Sequence, residues 1–286
     1  MSSHETAGRP DALLDVRDLR VSFPGKGWRT PDTDVLKGVG LTIRPGETLG
    51  LVGESGSGKS TIGRAVLGLA PVRSGSVTFD GERIERAGAR RRRALSRDLQ
   101  VIFQDPYTSL NPARTIGDTL AEPLIGQGAG TREARTRIGD LLDRVHLPSD
   151  AAGRLPREFS GGQRQRVAIA RALALRPRLV ICDEPVSALD LTTQRTVLDL
   201  LLEIQQETGV AYLFVSHDLS VVRFMSHRVA VIHRGEIVET GDAAKITSEP
   251  DHPYTRTLLL ASPVADVAEQ RRRREASEQA GTVGRA

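Results

Sequence analysis

The eight residues Gly53–Ser60 constrain the fold of this chain more than any other segment. Their order, Gly-Glu-Ser-Gly-Ser-Gly-Lys-Ser, matches the pattern G-x-x-x-x-G-K-S/T. The apolar run Thr48–Val52 before them predicts a strand, and Lys59–Leu69 after them has helical spacing of its apolar residues. A strand, a glycine-rich loop and a helix in that order predict an α/β fold with a mostly parallel sheet covered by helices.

This glycine-rich loop has the chemistry of a phosphate-binding site. Its glycines allow the backbone to wrap a phosphate with N–H groups pointing inward, and the following helix adds the positive end of its dipole. Lys59 is placed to reach the β- and γ-phosphates of a nucleotide, and the Ser60 hydroxyl to coordinate Mg²⁺. The alternative is an ordinary turn rich in glycine and serine. The residues assigned to nucleotide binding here are Gly53, Glu54, Ser55, Gly56, Ser57, Gly58, Lys59, Ser60 and Thr61.

A second candidate element is Leu179–Glu184, in which four apolar residues are followed by two carboxylates. The apolar run predicts a buried strand, so the two carboxylates would stand at its carboxyl end. Asp183 is the candidate Mg²⁺ ligand, and Glu184 the candidate general base for an attacking water. An ordinary strand that ends in a solvated acidic turn would have the same sequence pattern. Because Leu179–Glu184 occurs in a chain that also has the phosphate loop, the catalytic interpretation is favoured.

The remaining pattern continues the alternation of strands and helices. Further strands are predicted over Leu13–Phe23, Val35–Ile43, Ser76–Phe79, Leu99–Phe103, Ala211–Val215 and Arg228–His233, and further helices over Thr131–Val145, Gln163–Leu175 and Thr192–Thr208. Residues 106–160 are predicted to be an inserted helical region, with prolines at 112, 123, 148 and 156 marking breaks. We expect one domain over residues 11–247 and a C-terminal extension over 248–286 whose charged end is disordered.

Composition excludes several classes of protein. The formal charge of +4 and the aromatic content of 3% argue against nucleic-acid binding. A run of about 18 uncharged apolar residues, which a membrane span needs, does not occur in the sequence. The polar start Met1–Pro10 lacks the pattern of a secretory signal and is interpreted as a frayed tail.

The arginine runs and the cysteine receive structural interpretations. Arg90–Arg93 and Arg271–Arg274 are predicted to be solvated helix faces or tail, with contact to anionic lipid headgroups as the alternative. Cys182 is the single cysteine, so an internal disulfide is excluded, and its apolar surroundings predict a small core side chain.

Five further segments give the chain a resemblance to the ATP-binding-cassette (ABC) ATPases. Gln104 resembles the Q-loop glutamine that contacts Mg²⁺ and the water, and His217 the switch histidine that touches the γ-phosphate. Phe23 lies where the family places an aromatic residue on adenine. The other two segments resemble the family signature and the D-loop, namely Ser160, Gly161, Gly162 and Gln163, and Ser187–Asp190.

The resemblance implies a fold and a geometry. The fold would be a P-loop NTPase (RecA-like) core with the ABC-type antiparallel β subdomain and an inserted helical subdomain. ATP with Mg²⁺ would be bound, the metal by Ser60, Gln104 and Asp183, and hydrolysis would use Lys59, Gln104, Glu184 and His217. In this family two cassettes dimerise head to tail, so that Ser160, Gly162 and Gln163 of one complete the site built on Lys59, Asp183 and Glu184 of the other. Gly161 and the D-loop residue Asp190 are also assigned to nucleotide binding by the resemblance.

Two segments resemble one branch of the family, the bacterial dipeptide/oligopeptide/nickel importer ATPases. They are the extended Q-loop Phe103–Pro112 and the segment His252–Thr255 followed by Leu258–Leu260. The pattern is closer to the second (F-type) ATPase of such systems, and the cysteines that hold an iron–sulfur cluster in some relatives are missing. The implied partners are a second ABC ATPase subunit, two membrane permease subunits and, indirectly, a solute-binding protein, at the cytoplasmic face of the membrane.

Other classes of ATPase remain as alternatives. A soluble ABC ATPase acting on ribosomes, DNA or a multi-enzyme complex would share the cassette, but such proteins commonly carry two cassettes or very long coiled-coil insertions. A carbon–phosphorus lyase complex could use a subunit with the same importer-like segments. A phosphate-binding kinase would leave Ser160–Gln163 and His217 unexplained.

Overall fold

The structure, a computed structural model, describes residues 11–25, 27, 31–105 and 109–261. Strands and helices alternate along these residues, which confirms the predicted α/β class. The chain forms two compact units. Among described residues, the first unit holds those up to Thr42, Thr48–Arg86 and those from Phe214, and the second holds Ile43–Glu47 and Ala87–Leu213.

The first unit contains a small antiparallel sheet in the order β2-β1-β4-β5. Its strands are β1 (Leu14–Phe23), β2 (Thr33–Ile43), β4 (Val72–Phe79) and β5 (Glu82–Arg83). β1 pairs with β4 in antiparallel register, with Leu14 opposite Phe79, and both of these side chains are buried. Alternation of buried and exposed residues along β1 explains why its sequence predicts a strand with one covered face.

The phosphate loop belongs to a second group of elements in the first unit. These are β3 (Thr48–Val52), α1 (Lys59–Leu67), the end of β8 (Ala211–Ser216), α7 (Leu219–Met225), β9 (Arg228–His233), β10 (Glu236–Asp242), α8 (Ala243–Ser248) and α9 (Pro253–Ala261). β3 runs parallel to β9, and β10 pairs antiparallel with β9. All five residues of β3 are buried, as expected for a parallel strand covered on both faces.

The second unit combines two parallel strands with a helical region. Its elements are α2 (Ala89–Leu95), β6 (Leu99–Ile102), α3 (Ile116–Gly126), α4 (Thr131–Arg144), short 3-10 turns at Ser149–Gly153 and Pro156–Glu158, α5 (Gly161–Leu173), β7 (Leu179–Asp183) and α6 (Leu191–Thr208). β6 pairs parallel with β7. The apolar positions predicted to share a helix face, Ile138, Leu141, Leu142 and Val145, are all buried.

The predictions for the cysteine and for one arginine run can be compared with the structure. Cys182 is fully buried in β7, and this burial raises the pKa of its thiol, in keeping with a core role. Arg90–Arg93 lie on α2, where three of the four are exposed, whereas Arg271–Arg274 and Met1–Pro10 lie outside the described residues.

The prediction that Pro123 breaks the chain is wrong. Pro123 lies inside α3, because the buried face of Ile116, Leu120 and Leu124 holds that helix together although proline removes one backbone hydrogen bond. In the part of the chain that the structure describes, no helix has both the length and the hydropathy needed to cross a bilayer.

Candidate functional site

The phosphate loop lies between β3 and α1 in the first unit. Gly56 has a left-handed backbone with φ of 80°, and a Cβ built on it would meet nothing within 4 Å, so the tip of the loop is open. The residue before α1 is Gly58, which has no side chain to cap the helix. The N–H groups of the first turn, which includes Ser60 and Thr61, are therefore oriented to meet an anion.

Lys59 is held against the loop that precedes it. Its side chain is 5% exposed, and its Nζ donates to the carbonyl oxygens of Gly53 at 2.8 Å and Glu54 at 2.9 Å. Two such bonds fix the ammonium group at the loop. The lysine therefore presents a positive charge at the place where the sequence predicts phosphates.

Two other predicted residues of the first unit lie at the ends of strands. Phe23 closes β1 with 37% of its surface exposed, so it is not a core side chain. His217 follows β8 and is exposed, and the next residue, Asp218, caps α7 by accepting from the Ser220 N–H. Both side chains are thus exposed at the end of a strand, and their roles at the site stay predictions.

In the second unit the structure brings Glu184 and Gln104 together. Gln104 Nε2 donates to Glu184 Oε2 at 3.3 Å, across 80 residues of sequence. Glu184 is half-buried and follows directly after Asp183, the last residue of β7. The amide thus orients one carboxylate oxygen of the candidate base.

The backbone of Glu184 adopts a conformation that sequence reasoning did not predict. Its φ is 50°, in the left-handed region that favours glycine, at a cost of about 1 kcal/mol or more. Its carbonyl oxygen accepts from the N–H of Ser187 at 3.3 Å and from the Ser187 hydroxyl at 3.1 Å. The turn that holds this strained residue therefore contains the first residue of the predicted D-loop.

The predicted signature segment forms a capping box at the start of α5. The Ser160 hydroxyl accepts from the Gln163 N–H at 3.3 Å, and Gln163 Oε1 accepts from the Ser160 N–H at 2.9 Å. A Cβ on Gly162 would lie 2.2 Å from Cγ2 of Thr193 on α6, so only glycine fits there. Gly161 is the first residue of the helix, whose positive end thus opens at this segment.

Asp190 has a structural role besides its predicted place at the site. It is the N-cap of α6, where Oδ1 accepts from the Thr193 N–H at 3.0 Å and Oδ2 from the Thr193 hydroxyl at 2.6 Å. These bonds hold the pKa of the Asp190 carboxyl below its ordinary value. The carboxylate therefore stays charged at neutral pH. The same carboxylate holds Thr193, the residue of α6 that lies against Gly162.

A contact from the C-terminal extension is the feature that sequence reasoning missed. The Tyr254 hydroxyl accepts from the Glu54 N–H of the phosphate loop at 3.1 Å. The tyrosine ring also stacks on His233, with ring centroids 3.9 Å apart. The sequence offers no signal for this contact, because 200 residues separate its partners and His-Pro-Tyr alone predicts only a turn.

Comparison with known proteins decides the family. The family model described as "ABC transporter" matches residues 36–187, and the model described as "Oligopeptide/dipeptide transporter, C-terminal region" matches residues 238–284. The chain belongs to the ABC transporter family. It is an ABC-type ATPase that carries the C-terminal region of the oligopeptide/dipeptide transporters.

Similar curated proteins are named for glutathione import. The glutathione import ATP-binding protein GsiA of Salmonella choleraesuis (strain SC-B67) is 48% identical over 275 residues, which cover 94% of this ABC chain and 44% of that protein. GsiA of Escherichia coli O6:H1 is 49% identical over 269 residues, which cover 92% of this chain and 43% of that protein. The chain thus spans less than half the length of these relatives.

Similar solved structures are ABC cassettes. A dimeric post-hydrolysis state of the cassette MJ0796, bound to ADP and Pi, is 30% identical with a TM-score of 0.72, and the match covers 81% of this chain and 99% of that one. CbiO1 from Clostridium perfringens, part of the transporter complex cbiONQ, is 27% identical with a TM-score of 0.74, covering 84% and 92%. These neighbours confirm the P-loop NTPase core and the ABC-type subdomains.

The candidate site suits Mg²⁺ that is bound together with ATP phosphates better than it suits a metal ion held by protein side chains alone. Within residues 11–261, as far as the structure describes them, no three His, Cys, Asp or Glu side chains cluster in a way that could hold a metal ion. Mg²⁺ is usually held by one or two protein oxygens together with substrate phosphates, so such a cluster is not needed. The Gln104 amide directs its nitrogen at Glu184, which leaves Oε1 as the end that can take a cation.

Proposed function

We propose that this chain is the ATP-hydrolysing subunit of an importer in which two cassettes close on ATP and drive uptake of peptides or similar small solutes across the cytoplasmic membrane. The observation that carries the proposal is the presence in one chain of the ABC transporter region and the oligopeptide/dipeptide transporter C-terminal region. Relatives named for the import of glutathione, a tripeptide, support a peptide-sized solute.

The proposed hydrolysis assigns a role to each polar group. Lys59 and the N–H groups at the start of α1 hold the phosphates, and the exposed ring of Phe23 stacks on adenine. Ser60, Gln104 and Asp183 would hold Mg²⁺, which when bound offsets phosphate charge. Glu184, oriented by Gln104, accepts the proton of the attacking water, and His217 contacts the γ-phosphate.

Pairing with a second cassette completes the proposed site. Ser160, Gly162 and Gln163 at the start of α5 would meet the phosphates bound by the partner cassette, because a helix start stabilises negative charge. Asp190 lies on the next helix and is tied through Thr193 to Gly162. The dimeric state of the similar cassette MJ0796 supports this arrangement.

The proposed partners beyond that cassette are two permease subunits and, through them, a solute-binding protein. The segment Asp105–Arg114, of which 106–108 lie outside the described residues, is proposed to face the permease. The subunit would then be peripheral, at the cytoplasmic face of the membrane. The solute itself would be selected by the permeases and the binding protein.

An uptake assay tests the proposal. In cells that normally make the protein, deletion of this chain should abolish accumulation of labelled di- and tripeptides, glutathione among them, and a wild-type copy should restore it. A Glu184→Gln copy should not restore uptake, because binding without turnover cannot drive a cycle. Unchanged uptake of all tested peptides in the deletion strain, with ATPase activity of the purified chain intact, would instead favour a non-transport ABC ATPase.

A further inference from the structure

The C-terminal extension is anchored to the first unit by several bonds just before Tyr254. The carboxylate of Glu239 on β10 accepts from the N–H groups of Asp251 at 2.7 Å and His252 at 3.2 Å. Lys245 donates to the Asp251 carboxylate at 2.7 Å, and the Tyr254 N–H donates to His252 Nδ1 at 3.2 Å. These bonds fix the start of α9, and with it the direction of the tyrosine side chain.

The tyrosine ring and hydroxyl then reach the phosphate loop. The ring stacks on His233, the last residue of β9, at an interplanar angle of 20°. At 3.1 Å the hydroxyl oxygen accepts the N–H of Glu54. Burial raises the pKa of the Tyr254 phenol above its ordinary value, so the hydroxyl is neutral at physiological pH.

The peptide group that Tyr254 contacts also accepts one of the two hydrogen bonds that Lys59 donates to the loop. The Glu54 N–H belongs to the peptide between Gly53 and Glu54, and the carbonyl oxygen of that same peptide accepts from Lys59 Nζ at 2.8 Å. One planar group is therefore bonded at both poles. Rotation of this peptide would break both bonds together, and hydrogen bonds in such a chain polarise and strengthen one another.

We propose that Tyr254 is a positioning residue for nucleotide binding, which acts by fixing the Gly53–Glu54 peptide and, through it, the ammonium group of Lys59. The inference rests on the proposed binding of ATP phosphates by this loop and adds a role for the C-terminal extension in that binding. Residues from the two matched regions, 36–187 and 238–284, thus meet at one peptide. The extension would then set the affinity of the cassette for ATP.

The variant Tyr254→Phe isolates the hydroxyl, because it keeps the ring that stacks on His233. We expect the Kd for Mg-ATP, measured by calorimetry on the full chain, to rise about three- to tenfold, as for the loss of one hydrogen bond. The KM for ATP should rise by a similar factor with a smaller change in kcat. Tm should stay within a degree or two of wild type, since Tyr254 is only partly buried and its ring is kept. Tyr254→Ala, which also removes the stack, should raise Kd further.

Thr257→Ala is the matched control, since Thr257 is exposed on the same helix and its hydroxyl donates to the local carbonyl of Pro253 at 3.2 Å. It should leave both Kd and Tm unchanged. A Kd for Tyr254→Phe equal to that of wild type would overturn the inference, and so would a fall in Tm without a change in Kd. Failure of the wild-type chain to bind Mg-ATP would overturn the proposed function itself, which makes the two failures distinguishable.

Discussion

Among single residues, Glu184 is the one whose substitution should separate ATP binding from turnover. Glu184→Gln keeps the shape of the side chain and its contact with Gln104 but removes the carboxylate that we propose as the proton acceptor. We expect phosphate release to fall by about 10²–10⁴-fold, with the Kd for Mg-ATP within about twofold of wild type. A colorimetric phosphate assay and calorimetry measure the two quantities.

The control for this substitution is Glu203→Gln, on an exposed face of α6 where the Glu203 carboxylate lies 3.6 Å from His146 Nε2. It should hydrolyse ATP at the wild-type rate. Hydrolysis by Glu184→Gln at the same rate as this control would remove Glu184 from the role of base.

Gln104 provides a second test on the scale of one residue. Its amide is the group that orients the Glu184 carboxylate, so Gln104→Ala should leave the base present but unaligned. We expect kcat to fall roughly tenfold, the value of a hydrogen bond to a charged group at an exposed site, and the Kd for ADP measured without Mg²⁺ to stay constant. Equal kcat values for Gln104→Ala and wild type would show that the 3.3 Å contact has no part in catalysis.

The sequence predicts the identity of these residues better than their conformation. Glu184 follows an apolar strand and is selected by that pattern together with the phosphate loop, whereas Gln104 is selected by its resemblance to the Q-loop glutamine. The left-handed backbone of Glu184 and the bond between the two side chains depend on β6 and β7 lying side by side in parallel register. The identity of a residue is a local property of the chain, whereas its φ angle and partners at the site are set by tertiary packing.

Among elements, the crossing of α5 and α6 at Gly162 makes a specific prediction about stability. In Gly162→Ala the new methyl would meet Thr193 Cγ2 at 2.2 Å, so either the Thr193 side chain must leave its bond to Asp190 or the helices must shift. Such overpacking costs about 1–3 kcal/mol and should lower Tm by roughly 3–8 °C. Adding Thr193→Ser removes the clashing methyl but keeps the hydroxyl that bonds Asp190, and it should restore most of the Tm.

Gly139→Ala is the matched control for a glycine in a helix, because a Cβ there meets nothing within 4 Å. It should stabilise the protein by about 0.4–1 kcal/mol, since alanine lowers the entropy of the unfolded chain. Thermal unfolding followed by circular dichroism measures the wild type and all three variants. A double variant no more stable than Gly162→Ala alone would contradict the packing explanation.

Periodicity explains which elements the sequence predicts and which it misses. Strands such as β3 and β9 have the bounds that their apolar runs predict, and the four predicted stripe positions are buried, three on α4 and Val145 directly after it. α3 escapes prediction because Pro123 is a breaker in isolation, and the buried face that overrides it becomes evident only in the folded unit. β10 escapes because its residues are only partly buried and lack a clear alternation of two.

At the scale of the whole molecule, the proposed catalytic site needs parts from two chains. The first unit carries the phosphate loop and Lys59, and the second carries the capped helix start at Ser160. We propose that this helix start serves a partner cassette, so turnover should depend on pairing. ATPase activity per chain should therefore rise with protein concentration until the dimer saturates. A constant specific activity in a preparation that stays monomeric by light scattering would contradict the need for a partner.

Mixing two inactive variants tests the composite site directly. Lys59→Ala removes the phosphate-binding ammonium but keeps the helix start of α5, whereas Ser160→Arg blocks that helix start at an exposed position and keeps the loop. Each variant alone should be inactive, because every site in its dimer has one defective half.

In an equal mixture half of the dimers join one chain of each kind, and one of their two sites has both halves intact. Activity should then recover to roughly a quarter of wild type if the dimer is symmetric and its sites are independent. A mixture that stays inactive, at a concentration where the wild-type chain hydrolyses ATP, would mean that the helix start at Ser160 does not complete the site of a second copy.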